Sequence, residues 1–178
     1  MGIVGKEAQM EVFEAVRTVL AVRKFLQTPV PPEIVRRILE AGRLTASSMN
    51  RQPWHFVLVD DRRSLRELAG LAPTGPYIAD AGMAVAVSMD KSEYAVSDAS
   101  RAIQSMILTA WSEGVASNWV GFFGLEKAKG MLAIPPHLDL LAIIAFGYPE
   151  SPTARGMKKR RPLPDVAHDG RFGVPFTR

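Results

Sequence analysis

Seven consecutive residues, Leu140-Leu141-Ala142-Ile143-Ile144-Ala145-Phe146, are apolar without alternation, and a strand of that kind has to be covered on both faces. That requirement sets the architecture: a sheet with helices packed against each side. Met83 to Met89, Ala116 to Val120 and the aromatic and branched run Trp54 to Val59, closed by Asp60-Asp61, supply three further strands, and Trp54 to Val59 reads as buried. Between them lie helical patterns. Val12, Val16 and Leu20, with Phe13 beside them, stripe a helix over 10–20; Ile34, Val35, Ile38 and Leu39 stripe a second after Pro31-Pro32 and end it near Gly42 to Ala46; Leu65 and Leu68 mark a short third. Ala99, Ala102, Ile103, Met106, Ile107 and Ala110 mark a long, largely buried helix, and Leu125 to Ala133 a short one. Helices interleaved with strands make this an α+β chain.

After Gly147-Tyr148-Pro149 nothing periodic remains. Residues from about 150 to 178 form an extended C-terminal arm, proline-rich and too poor in core residues to pack as a local unit. Such an arm is either disordered or laid on a partner subunit. With 47% hydrophobic and 22% charged residues, 1–178 reads as a single domain. There is no cysteine, which rules out disulfides, thiolate metal sites and cysteine nucleophiles and suits a reducing cytoplasm, the expected location. Any redox chemistry must come from a cofactor. No stretch has the ~18 apolar residues of a spanning helix, and residues 1–20 lack a secretion pattern.

Familiar motifs are missing. No Gly-x-Gly-x-x-Gly follows a strand, no phosphate loop of the Walker type occurs, and no Gly-x-Ser-x-Gly is present. His55, His137 and His168 are too scattered for a metal site, so none is expected. The net charge of +4 favours anions in general, and the densest basic run is Lys158-Lys159-Arg160-Arg161. A nucleic-acid partner is not expected, because no aromatic-interleaved basic stripe accompanies it.

The most informative stretch is Thr45-Ala46-Ser47-Ser48-Met49-Asn50-Arg51-Gln52-Pro53-Trp54, which places hydroxyls, amides and a Pro-Trp where a helix gives way to a strand. Turns seldom require Asn, Gln and Trp together. Here the sequence resembles the nitroreductase family of FMN-dependent oxidoreductases. Arg23-Lys24-Phe25 with Pro29-Val30 is similar to an N-terminal element of that family, Trp119-Val120-Gly121 to its flavin loop, and Gly147-Tyr148-Pro149 with Lys159, Arg161, Pro162 and Leu163 to its tail. The blocks stand in the family's order over nearly the whole chain.

The resemblance implies a central mixed, mostly antiparallel sheet flanked by helices, with the arm exchanged in a homodimer. It implies FMN as cofactor, NAD(P)H as reductant and a small organic electron acceptor such as a nitro compound or quinone. Arg23, Lys159 and Arg161 would hold the phosphate. Ser47, Ser48 and Asn50, from the other subunit, would meet the ribityl chain and pyrimidine edge, Gln52 would orient Asn50, and the Val120-Gly121 backbone would reach flavin N5. No catalytic acid or base need be encoded, and donor and acceptor would alternate at one face. Two departures stand out: Val19, Leu20 and Ala21 occupy positions where the family has an arginine and a serine, and Phe122-Phe123-Gly124 follows Gly121, with Phe122 placed to narrow the substrate face. The alternatives are a flavin- or deazaflavin-binding protein without turnover, and a basic nucleic-acid module.

Overall fold

The computed structural model describes residues 10–121, 123–152 and 158–178. Its elements run α1 (Val12–Thr18), α2 (Pro32–Arg43), β1 (Trp54–Val59), α3 (Arg62–Leu71), β2 (Met83–Met89), α4 (Ala95–Ser112), β3 (Ala116–Gly121), α5 (Glu126–Met131) and β4 (Asp139–Gly147), with short 3₁₀ turns at Ser48–Asn50, Pro76–Asp80 and Leu163–Asp165. The strands form one sheet in the order β1-β2-β4-β3. All three ladders are antiparallel. The mixed sheet implied by the resemblance is therefore antiparallel throughout these four strands; the parallel contribution is one bridge, Ala21 to Ser117, which lays the chain before Arg23 along the β3 edge.

Position in the sheet explains burial. Every residue of β2 is buried, as are Leu141 to Gly147 of β4, because these central strands are covered above and below. Val85, Val87, Ile144 and Phe146 face α2 and α4, where Val35, Ile38, Ile103 and Met106 pack on them. Ala84, Ala86, Ile143 and Ala145 face the opposite layer, with Leu65 and Leu68 of α3 and Ala128 of α5. Trp54 to Val59 departs from its reading as a buried strand: only Trp54 and Val59 are buried, since β1 is an edge strand with one side unpaired. At Gly42 an added Cβ would lie 3.0 Å from both Met106 Cγ and Phe56 Cζ, so the small residue lets α2 settle onto α4 and β1.

Two features go beyond what the residue pattern specifies. In α1, Ala15 and Thr18 turn inward instead of the apolar stripe, because Thr18 Oγ1 accepts a 2.8 Å hydrogen bond from buried Trp111 Nε1 on α4. Val12, Phe13 and Val16 are left 74%, 70% and 46% exposed, an apolar helix face without cover in the single chain. The end of the arm, expected to make no local unit, closes a small loop: His168 bridges Pro175, Asp169 N–H donates to Val174 O (2.8 Å) and Arg178 pairs with Asp169 (2.7 Å). No residue of 158–178 is buried, so this closure rests on hydrogen bonds and ion pairing and adds nothing to the core.

Candidate functional site

Ser47 to Gln52 forms a tight polar loop between α2 and β1. Met49, Asn50 and Gln52 have φ of 53°, 54° and 49°, the left-handed region that side chains disfavour. Internal bonds hold the shape: Asn50 N–H donates to Ser47 O (3.0 Å), Gln52 N–H to Ser47 Oγ (2.9 Å), and Gln52 Nε2 to Asn50 O (3.1 Å). Ser48 is tied to α4 through Asp98. The Asn50 side-chain amide is exposed and makes no hydrogen bond among the described residues.

Arg23 lies in a segment pinned on both sides. Val22 N–H donates to Ser117 O (2.9 Å), Leu26 N–H to Tyr148 O (2.8 Å), and Glu150 N–H to Lys24 O (3.1 Å). The Arg23 side chain reaches the Tyr77 hydroxyl, which donates in turn to Asn118 Oδ1 (3.1 Å) on β3. Burial pushes the Tyr77 phenol above its ordinary range, against the opposing pull of Arg23. Asn118 is 5% exposed, and its Nδ2 has no hydrogen-bond partner among the described residues. Buried polar groups are seldom left so, because each costs desolvation free energy that only a partner recovers. Val120 and Gly121 end β3. A Cβ on Gly121 would come within 2.8 Å of Trp119 Nε1 and 3.1 Å of Leu141 O, so the position admits backbone only.

A cavity of about 430 Å³ opens at this sheet edge, between the end of α1, the middle of α4 and β3. Ser117, Asn118 and Trp119 line one wall, Gln104 and Ile107 another, and Val19, Leu20 and Ala21 a third. Lys158 and Arg160 of the arm complete the lining. Lys158 Nζ donates to Val16 O at the end of α1 (2.7 Å), and burial together with neighbouring Arg160 holds its ammonium below the usual lysine range. Neither cation pairs with a carboxylate among the described residues. A second groove of similar volume, between α2 and β1, is lined by Val30, Val35, Leu39, Phe56 and Leu58 and holds none of the expected site residues.

Within one chain, then, Arg23, Val120 and Gly121 gather near one stretch of β3, and among the described residues no hydrogen bond joins them to the Ser47–Gln52 loop. Lys159 is exposed, and Arg161 donates to Asp165 O (2.8 Å). The cations that line the cavity are their neighbours Lys158 and Arg160, as the two-residue alternation of extended chain dictates. Sequence reasoning also passed over Tyr77, Asn118 and Asp98, each polar and partnered across a gap of 40 residues or more. Phe122 falls outside the described residues. Three or more His, Asp or Glu side chains arranged to hold a metal are absent among the described residues, and no helix there is long and apolar enough to cross a membrane.

A cation-lined cavity thus lies at the β3 edge of an antiparallel sheet that carries helical layers on both faces, an α+β architecture. The nitroreductase family model matches residues 17–92 and 72–148. A protein of Methanothermobacter thermautotrophicus, provisionally named NADH dehydrogenase/NAD(P)H nitroreductase, is 34% identical over 163 residues, covering 86% of this chain and 85% of that one. A Bacteroides thetaiotaomicron structure with the same provisional description aligns with a TM-score of 0.83 at 26% identity, over 90% of this chain and 98% of that one. An FMN-dependent nitroreductase from Clostridium difficile shares the fold, with a TM-score of 0.82 at 22% identity over 90% and 99% of the two chains. The chain belongs to the nitroreductase family and is an oxidoreductase of that kind.

Proposed function

We propose that this protein binds FMN between two copies of the chain and passes electrons from NADH or NADPH to a nitro compound, quinone or similar organic acceptor, the two substrates taking turns at one site. The observation that carries the reading is the cavity beside β3. Lys158 and Arg160, neither paired with a carboxylate among the described residues, line it together with Asn118, whose buried amide Nδ2 has no partner there, and Arg23 lies beside Tyr77, which bonds that same Asn118. That donor set fits a phosphorylated, acceptor-rich ligand, and about 430 Å³ lies within the range of small-molecule sites. Support for the cofactor also comes from the FMN-dependent neighbour, and for the reductant from the NAD(P)H in the relative's name.

When bound, FMN supplies the acceptance and release of a hydride. The chain's residues bind and orient it. Arg23, with Lys159 and Arg161 as the arm settles, neutralises the phosphate, and Lys158 and Arg160 add to the same field. Val19, Leu20 and Ala21, where a further arginine and serine would stand, give an apolar wall, so more of the phosphate falls to the arm. Ser47, Ser48 and Asn50 approach from the second copy, with Gln52 holding the Asn50 backbone. The Gly121 backbone gives close approach where a side chain could not fit. A second copy also answers two features of the single chain: the bare Val12, Phe13 and Val16 face, and the arm that finds no core of its own.

Anaerobic mixing of the purified yellow protein with NADPH or NADH tests the reading. Bleaching of the visible flavin band, restored on adding a quinone or nitroarene, is the expected result. A bound flavin that neither nicotinamide bleaches would instead make this a binding protein without turnover.

A further inference from the structure

A carboxylate that the proposed chemistry does not use is buried at the start of α4. Asp98 is 1% exposed, and a carboxyl group so deeply placed needs its oxygens paired. Its partners are specific. Both carboxylate oxygens accept from the Ser48 N–H (3.1 and 3.0 Å), Oδ1 accepts from Ser48 Oγ (3.2 Å), and the Arg101 guanidinium, one turn along, closes on the same oxygen. One turn further, Ser105 Oγ is bonded to Thr45 Oγ1 (2.8 Å). Asp98, Arg101 and Ser105 thus form one helix face, of which Asp98 holds the polar loop at Ser48 and Ser105 holds Thr45 just before it.

The loop needs that grip. Three consecutive or nearly consecutive residues with side chains, Met49, Asn50 and Gln52, sit in left-handed conformations, and such a run persists only where its surroundings over-determine it. Its internal bonds end on Ser47, Ser48, Met49 or Asn50, so they shape the loop without fixing it to the protein. The bonds that fix it pass through Ser48 to Asp98. With Ser48 turned inward and Ser47 Oγ occupied by the Gln52 N–H, the Asn50 amide is an exposed polar group of the loop with no side-chain hydrogen bond among the described residues.

We infer that Asp98 is the positioning residue of the cofactor loop: by holding Ser48, it presents the Asn50 amide to the flavin ring. This rests on the reading given under Proposed function. It also revises the role of Ser48, which becomes an anchor within its own chain. The inference concerns ring and ribityl recognition, so riboflavin, which lacks the phosphate, reports it as well as FMN does.

The test is a double-mutant cycle read as flavin affinity by fluorescence quenching. Asp98→Asn and Asn50→Ala should each weaken FMN and riboflavin by a similar factor of ten or more, and the double variant should be no weaker than either alone, because both remove one interaction. Arg23→Ala should weaken FMN and leave riboflavin unchanged. Hydrogen exchange of the peptide over 46–53 should accelerate in Asp98→Asn without flavin present. If Asp98→Asn does not fold, Ser48→Ala replaces it in the cycle, with a smaller loss and the same non-additivity. Additive losses, or a loop as protected in Asp98→Asn as in the parent, would overturn the inference while leaving the cofactor assignment intact. A parent protein that binds neither flavin would overturn the assignment on which it rests.

Discussion

At Arg23 a guanidinium is spent on a neutral phenol, since within the chain its neighbour is the Tyr77 hydroxyl. The proposed flavin phosphate would offer it a better partner, because charge-assisted bonds are about twice as strong as neutral ones. Arg23→Ala should accordingly lower FMN affinity by about 10- to 100-fold, the span of a hydrogen bond to a charged group, as measured by titration. Tyr77 carries its own pH dependence. Its hydroxyl is raised from the ordinary value of 10.0 by burial, so the folded form keeps its proton longer than the unfolded chain. Stability from this group is intact below pH ~10 and declines as pH rises through the higher folded value. In Tyr77→Phe the denaturant midpoint should fall less steeply above pH ~10 than in the parent. Gly121→Ala forces a methyl against Leu141 O and the indole of Trp119. It should cost about 1–3 kcal/mol in thermal or chemical denaturation and lower flavin retention. The residue pattern alone singled out Arg23 and Trp119-Val120-Gly121, which lie near one another along β3. The Tyr77–Asn118 pair could not be read that way, because it joins positions 41 apart through side chains that either core or surface would accept.

Among the elements, α4 joins the two halves of the site. Asp98 and Arg101 carry the polar loop, Gln104 and Ile107 wall the cavity, and Trp111 anchors α1. Its register therefore decides what each half can present. Thr18→Val would leave the Trp111 indole N–H buried without its acceptor, at a cost of about 1–3 kcal/mol in denaturant unfolding, and would loosen the α1 wall of the cavity. β2 and β4 were legible because an unbroken apolar run admits few other readings. β1 was harder: its aromatic and branched residues suit a strand, but whether that strand is central or at an edge depends on partners far away in sequence. α1 was legible as a helix, but the face it buries was not. The stripe of Val12, Phe13 and Val16 is real, but its inward face is decided by Thr18 and Trp111, 93 residues apart.

For the molecule as a whole, the single chain looks incomplete at two places. An apolar helix face is bare, and the polar loop has no bond to the cavity it is proposed to serve. In the proposed dimer a second copy would supply both at once, each loop meeting the partner's cavity across a two-fold contact. Removing the arm after Tyr148 should then abolish the dimer and flavin retention together, as seen by light scattering and absorbance; a dimeric, yellow truncation would separate arm from assembly. The most direct measurement is equilibrium titration of the purified, flavin-stripped protein with FMN, followed by absorbance and sedimentation. Saturable uptake of one FMN per chain, with the particle at twice the chain mass, is the predicted result. A folded protein that stays colourless at millimolar FMN would contradict the account.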